Sequence, residues 1–462
     1  MHILISSEVT IHYPTPEVYD FCINNLVVAN PEYTRRIRMN KWLGDTPKYL
    51  NLYRQRGEDL IIPFGAWRAL FKFLWQEDLF FEDTEIVYDL SGNDPVDYDA
   101  VVPLYDYQKI AVNAMLQKGY GILQSPAGSG KTQMGIAMII QSGKKALWLT
   151  HTRDLLQQSY NRAAQYVDEK YLGTITGGKV HIGSGITFAT VQTMCNLDLS
   201  QYKYEWDMII VDECHRACGT ATSYSRFAKV LNSLAAQQKY GLSATVHRAD
   251  GMIKGTFALL GGIGYTVPDE ATAGKVERVR ILKRDTGVPI HFSCQDTDGT
   301  LLYVNLLNYL TNHADRNQQI ASDLIQNAEH YNLILSDRID HLKQIFALLP
   351  QVLKEQSILI TGTTKPQERE NAMEDMRTGR KRYMFATYAL AKEGLDIQRL
   401  DRLYLTTPQK DAAVIIQAIG RIARHFDGKE EPVAYDYVDN IIFCQNQYKK
   451  RCTSYRKIKC IM

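Results

Sequence analysis

The chain has 462 residues, 45% of them hydrophobic and 23% charged, with 53 basic against 51 acidic side chains and a formal net charge of +2. That length corresponds to about three domains at ~150 residues each, with ample apolar material for buried cores. The near-neutral balance excludes a uniformly basic surface, so any nucleic-acid track is local, and no apolar run approaches the ~18 residues of a membrane span.

The start, Met1-His-Ile-Leu-Ile-Ser-Ser, lacks the basic and apolar regions of a signal peptide. An intracellular, soluble protein with no membrane partner is expected, in the cytoplasm, or in a bacterial host's cytoplasm if phage-encoded. Of the scattered cysteines only Cys214 and Cys218, flanking His215, approach metal-ligand spacing. No second pair completes a zinc site, so no structural zinc is expected and free thiols in a reducing compartment are. The 28 tyrosines serve mainly packing, with base stacking as a further use.

Residues 1–98 form a small mixed α/β unit. His2-Ile-Leu-Ile and Val9 to Tyr13 alternate as strands, and Pro16 to Leu26 has helical spacing. Lys48 to Tyr53 and Asp59 to Ile62 are expected to form a hairpin around Gln55-Arg-Gly-Glu58. Arg35, Arg36, Arg38, Lys41 and Lys48 cluster with Tyr33 and Trp42, either as a solvated face or as an accessory nucleic-acid contact. The acidic stretch Glu82 to Asp99 is expected to be a linker.

Residues 99–268 alternate short apolar runs with helical segments: Gly121-Ile-Leu, Lys145 to Leu149, Ile186 to Ala189, Met208 to Val211 and Tyr240-Gly-Leu. That pattern predicts a parallel sheet covered on both faces, with ligands at the carboxyl ends of its strands. Ser125-Pro-Ala-Gly-Ser-Gly-Lys-Thr132 follows the first run and precedes a helix. Strand, Gly-rich turn and helix make a phosphate-binding loop, with Ser125 where the general pattern has Gly. Pro126, Ala127, Gly128, Ser129 and Gly130 form the ATP-binding turn, in which Gly128 and Gly130 let backbone N–H groups close around the anion. Lys131 reaches the β/γ-phosphates and the Thr132 hydroxyl holds Mg²⁺. Met208-Ile-Ile-Val-Asp-Glu-Cys-His215 is a buried strand ending in two carboxylates. Asp212 completes the Mg²⁺ site, Glu213 orients and deprotonates the attacking water, and His215 bonds to another motif or is simply structural.

Residues 269–462 repeat the alternation with Leu333-Ile-Leu, Ser357 to Ile360, Tyr383 to Ala386, Arg402 to Leu405 and Val433 to Tyr437, without a phosphate loop. Lys275 to Arg284 is expected to open this block as a strand, with a hairpin inserted near it. The basic tail from Lys449 to Lys459 is expected to be a solvated helix end.

Gly-Ser-Gly-Lys-Thr132, Asp-Glu-Cys-His215 and Ser243-Ala-Thr245, in that order, resemble a superfamily 2 helicase. The resemblance covers residues 100–430 and implies two tandem RecA-like parallel-sheet lobes behind the small α+β N-terminal domain, with ATP and Mg²⁺ as cofactors. It implies that Gln108 reads adenine, with Tyr105, where the family often has Arg, stacking on the base. Ser243 and Thr245, with His215, would couple the nucleotide and strand sites. Thr150, His151 and Arg153, then Thr190 and Gln192, resemble motifs that grip the nucleic-acid backbone, as do Ser336, Arg338, Thr361, Gly362 and Thr387. Glu393, Gly394 and Asp396 would lie near the nucleotide. Gln417-Ala-Ile-Gly-Arg-Ile-Ala-Arg424 resembles the last motif, with Gln417, Arg421 and Arg424 as catalytic groups and Arg424 as the arginine finger.

Arg248-x-Asp250-Gly251 resembles the branch of XPB-type and phage UvsW-type DNA enzymes, with Arg248 on DNA. The resemblance implies work on forked, branched or single-stranded DNA, and a monomer is expected. A duplex translocase, an RNA helicase and a nucleic-acid-gated recruitment switch remain open. The N-terminal module and residues 275–290 are alternative strand-separating wedges.

Overall fold

The strands Ala146–Thr150, Ile186–Thr190 and Met208–Val211 are buried at every position, as befits parallel strands with helices on both faces. The computed structural model describes residues 1–79, 84–218, 221–244, 246, 252–272, 277–392, 395 and 397–462. The chain divides into two compact units, Met1–Pro126 with Gly130–Ala271, and Ala127–Ser129 with Thr272–Met462.

The first unit holds an eight-stranded sheet in the order Lys179–His181, Leu172–Thr176, Ile186–Thr190, Ala146–Thr150, Met208–Val211, Gln238–Ser243, Gly121–Gln124 and Ile263–Thr266. All pairings are parallel except that of the first edge strand. The phosphate-loop strand therefore lies beside Gln238–Ser243, with Ser243 in register with Gln124, and the strand that ends at Asp212 comes next. Chemistry-bearing residues far apart in sequence thus meet at one sheet edge, the carboxyl end.

A five-stranded sheet precedes it, ordered Arg54–Arg56, Asp59–Pro63, Glu8–His12, His2–Ile5 and Glu85–Tyr88. Two expectations need correction. Arg54–Arg56 pairs with Asp59–Pro63, whereas Tyr49–Asn51 pairs with Val27–Ala29. The acidic stretch is no simple linker, because Glu85–Tyr88 adds to the sheet in parallel with His2–Ile5. Beyond that strand the chain is fastened to the larger sheet's surroundings. Asp89 pairs with Lys203 at 2.8 Å, the Ser91 hydroxyl donates to Trp206 O at 2.9 Å, and Asn93 N–H donates to Asp207 at 3.1 Å. Gly65 meets the backbone at Leu260 and Gly261 so closely that a side chain there would collide. Ile3, Val9, Leu60 and Trp67 of the small sheet and its helix share one apolar cluster with Ile209, Val211 and Leu259.

The second unit is built on a six-stranded, all-parallel sheet ordered Arg280–Pro289, Val433–Asn440, Arg402–Leu405, Asn332–Ser336, Tyr383–Thr387 and Ser357–Ile360. The opening strand is therefore present, shifted toward the carboxyl end of Lys275 to Arg284. The basic tail lies in the helix Ile442–Lys457, but Arg451 is buried on Asp436 at 2.7 Å instead of solvated. Removing either partner of such a pair leaves an uncompensated buried charge.

Candidate active site

The loop between Gly121–Gln124 and the helix Lys131–Ser142 turns on Gly128 and Gly130, with φ of 84° and 81°. This left-handed backbone strains any residue with a side chain, and it lets successive N–H groups converge on an anion. A side chain at Gly130 would strike the Gln108 amide, so Gln108 packs on the loop itself. Gln108 Oε1 accepts from Tyr105 N–H at 2.9 Å, which caps the helix Asp106–Lys118, and Tyr105 stacks on Tyr107 at 5.9 Å. Lys131 folds over its own loop, its Nζ donating to Pro126 O at 3.2 Å and Ser125 O at 3.4 Å. Pro126, Ala127 and Thr132 are half-buried, Gly128 exposed and Ser129 buried.

Asp212 and Glu213 follow Met208–Val211. Asp212 is buried; its Oδ1 accepts Glu213 N–H at 2.9 Å, and the Ser159 hydroxyl lies 3.5 Å from its Oδ2. Burial, then the neighbouring Glu213 charge, pushes the Asp212 carboxyl up, against the pull of Lys131. Burial acts on Glu213 too, but the hydrogen bond and charge of His215, with Lys131 and Arg216, outweigh it and hold this carboxylate low. Glu213 also takes φ 48°, a conformation that a residue with a side chain adopts only when its surroundings impose it. Adjacent buried carboxylates, one of them resisting ionisation, suit a divalent cation, whose charge would offset both.

His215 joins two motifs: its Nδ1 is 3.2 Å from Glu213 Oε2 and 3.0 Å from the Ser243 hydroxyl. Thr245, its expected companion, lies outside the described residues, as do Arg248, Glu393, Gly394 and Asp396.

The expected strand-gripping residues of this unit divide in two. Thr150 is fully buried and its hydroxyl donates to Thr152 O at 3.0 Å, while the buried Thr190 hydroxyl is 2.9 Å from that of Thr193. Burial thus commits Thr150 to its own turn and Thr190 to the Thr193 side chain. His151 also departs from expectation, because both ring nitrogens are buried. Burial, then the charge of Arg216, pushes it down to about 3, so the ring is neutral and forms a wall near Glu213 and His215. Arg153 and Gln192 are exposed, and Gln192 Nε2 donates to His151 O at 2.7 Å. Sequence reading missed Ser159 and Arg216. A lone hydroxyl on the apolar face Leu155, Leu156, Ser159, Ala163 was the signal for the first; the short turn Cys214–Arg216 returns the second toward Glu213.

The model of the family described as "Type III restriction enzyme, res subunit" matches residues 102–248, and that of "Helicase conserved C-terminal domain" matches residues 316–426. The chain belongs to the superfamily 2 helicases. It thus carries the paired domains of an ATP-hydrolysing enzyme class. Among its relatives is "Putative ATP-dependent RNA helicase L396" of Acanthamoeba polyphaga mimivirus, 25% identical over 75% of this chain and 66% of that protein. Another is "DNA 3'-5' helicase XPB" of Mycobacterium tuberculosis, 23% identical over 60% of this chain and 50% of that protein. The chain thus spans less than two thirds of either relative. The structure of S. cerevisiae Dbp5 bound to RNA and ADP BeF3 is 17% identical, covers 77% of this chain and 88% of that one, and has a TM-score of 0.55, a likeness of fold.

In the helicase C-terminal domain, Ser336 is fully buried, its hydroxyl 3.0 Å from His341 Nδ1 and accepting Arg338 N–H at 3.1 Å. It shapes the turn that presents Arg338 and is not itself a surface group. Thr361 shares hydrogen bonds with Thr363 and Thr364, Gly362 is exposed, and Thr387 Oγ1 is 3.5 Å from Leu390 N–H. Gln417 has a buried Oε1 without a hydrogen-bond partner among the described residues. Arg421 is committed within its own unit, donating to Ala391 O at 3.0 Å and Leu395 O at 3.2 Å, which fits a brace better than a second finger. Arg424 is half-buried at the end of the same motif.

Proposed function

We propose that this chain couples ATP hydrolysis to movement along DNA and remodels forked and branched DNA by unwinding, branch migration or fork regression, as a monomer. The observation that carries the reading is the contiguity of Glu213, His215 and Ser243 at the ends of neighbouring strands beside the phosphate loop. A water-activating carboxylate is thereby tied to a strand that leads toward a separate motif. The phosphate loop binds the triphosphate, with Lys131 as its cation and Gln108 beside the loop for the base. Mg²⁺, held by Thr132 and Asp212, would neutralise charge on the phosphates. Glu213, kept ionised, takes the proton of the attacking water. Arg424 supplies the positive charge that hydrolysis requires. Arg153, Gln192 and Arg338 offer side chains to a nucleic-acid backbone. The DNA reading draws on the XPB relative, named for DNA, and on the Arg248-x-Asp250-Gly251 signature; the mimivirus relative, named for RNA, favours the second reading of an RNA helicase.

The test is ATP turnover without nucleic acid and with single-stranded DNA, single-stranded RNA, duplex, fork and four-way junction, with strand separation followed in parallel. Preferential stimulation and separation by fork or junction DNA is expected. RNA preference would establish the second reading, and stimulation by duplex without separation a translocase or recruitment switch.

A further inference from the structure

The segment between the strand Arg280–Pro289 and residue 316, where the helicase C-terminal match begins, takes no part in the nucleotide motifs. It contains the helix Tyr303–Asn312, which has no charged side chain. Leu306, Leu307 and Leu310 bury one side of it. On the other, Asn305, Asn308, Tyr309 and Asn312, spaced i, i+3, i+4 and i+7, line a cleft of about 680 Å³. A face kept merely for solvation would carry Lys, Glu or Arg, which are better helix formers than Asn. Asn305 Nδ2 donates to Ser293 O at 3.0 Å and Asn312 Nδ2 to Asn308 O at 2.8 Å, so those two amides shape the cleft and the exposed Asn308 amide presents the hydrogen-bonding edge.

Flat rings stand beside that stripe. His291 stacks on Tyr309 at 5.3 Å and lies 4.1 Å from Phe292, whose side chain is 81% exposed. His313 meets Tyr309 edge-on, and its Nδ1 is buried without a hydrogen-bond partner among the described residues. No Lys or Arg lines the cleft, and Asp315 does. Such a lining rejects a phosphate and suits a neutral planar group with a hydrogen-bonding edge.

The cleft is also wired to the turn of Arg338. Gln344 Nε2 donates to Asn312 Oδ1 at 2.7 Å, and Asn317 Nδ2 donates to Gln344 Oε1 at 3.1 Å. Asn317 Oδ1 is 2.9 Å from His341 Nε2, whose other nitrogen holds Ser336. We propose that this cleft receives an unpaired nucleobase of the DNA strand, set on the stacked pair of His291 and Tyr309 with the exposed Phe292 at its rim and its edge on the Asn308 amide. It would extend the strand path beyond Arg338 and signal occupancy to that turn. This rests on the proposed function, since it presumes a DNA strand at this unit.

The experiment uses the full chain and a single-stranded oligodeoxynucleotide carrying 2-aminopurine at successive positions, with an abasic counterpart for each. The wild type is expected to quench one position strongly on binding. Phe292→Ala, with an exposed ring and hence an unchanged thermal unfolding midpoint, should lose that quench and roughly 5- to 100-fold in affinity. Asn308→Asp, also exposed, should weaken binding as well. An abasic site at the quenched position should lower wild-type affinity to that of Phe292→Ala and leave the variant unaffected. Binding by the wild type with neither variant nor abasic site having any effect would overturn the cleft proposal alone. Failure of the wild type to bind the oligonucleotide at all would overturn the DNA reading with it.

Discussion

The Ser243 hydroxyl lies 3.0 Å from Nδ1 of His215, at the end of the strand adjacent to the phosphate-loop strand. Because the same nitrogen is 3.2 Å from Glu213, Ser243 is linked through His215 to the carboxylate proposed to activate water. Ser243→Ala removes the link and leaves the nucleotide groups in place. ATP affinity is expected to stay near that of the wild type, whereas the stimulation of turnover by nucleic acid falls roughly 5- to 150-fold, the range of ordinary site-to-site coupling. Equal stimulation ratios in the two proteins would remove the pair from the coupling role.

The two arginines of the last motif separate by measurement. Arg424→Ala should bind ATP normally and lose roughly 10³- to 10⁵-fold in turnover. Arg421 holds the carbonyls of Ala391 and Leu395, so Arg421→Ala should mainly destabilise its unit, by about 1–3 kcal/mol. Turnover and denaturant midpoint, measured on both variants, assign the roles; Arg424→Ala with unchanged turnover would exclude it as the finger.

The contrast between these arginines shows what the sequence conveys. The strands, the loop and Asp212-Glu213 announce themselves because apolar runs buried on both faces and a Gly-rich turn have few alternative readings. The motif names Arg421 and Arg424 together, but the helix Ala412–Ile422 ends between them, and which one is spent on carbonyls depends on the distant Ala391 and Leu395. Thr150, Thr190 and Ser336 misled for a similar reason: a strand-end hydroxyl serves a phosphate or its own turn equally well, and only burial decides. Glu85–Tyr88 was hidden because a short edge strand, mostly exposed, lacks the apolar alternation that marks a half-buried one. The asparagine stripe of 305, 308 and 312 passed unnoticed because it has meaning only beside His291 and Phe292.

His341 is buried between Ser336 and Asn317, and burial, then the charge of Arg316, pushes it down to about 3 from 6.5. Below about pH 6.5 the unfolded chain takes up a proton that the folded chain refuses. Its contribution to stability is therefore lost as pH falls from 6.5 toward 3, by up to ~1.4 kcal/mol per pH unit. Denaturant midpoints at pH 7 and pH 5 should drop less for His341→Gln than for the wild type. An identical drop would show that this imidazole is protonated in the folded chain.

Lys239 gives a slope of the same sign in a higher pH window. It is fully buried on the strand of Ser243; its Nζ donates to Ser7 O at 3.0 Å and Leu231 O at 2.6 Å and lies 4.5 Å from the Phe64 ring. Burial pushes it down to about 7 from 10.5, with the charge of Glu8 pulling the other way. Below about pH 7 the lysine is charged in folded and unfolded chains alike, and the full cost of burying that charge is present. Between about pH 7 and 10.5 the folded chain sheds the proton first, so stability rises with pH by up to ~1.4 kcal/mol per unit. Thiols and phenols that burial pushes up in the fold ionise in the unfolded chain over part of the same range, and comparison with Lys239→Met removes their share. The wild-type midpoint should gain on that of Lys239→Met between pH 7 and pH 9. Since Ser7 turns between the strands His2–Ile5 and Glu8–His12 and Phe64 directly follows Asp59–Pro63, the same variant should loosen the N-terminal sheet first, seen as faster hydrogen exchange at Glu8–His12 than at Ala146–Thr150. A constant difference between the two midpoints would mean that Lys239 keeps its proton in the fold.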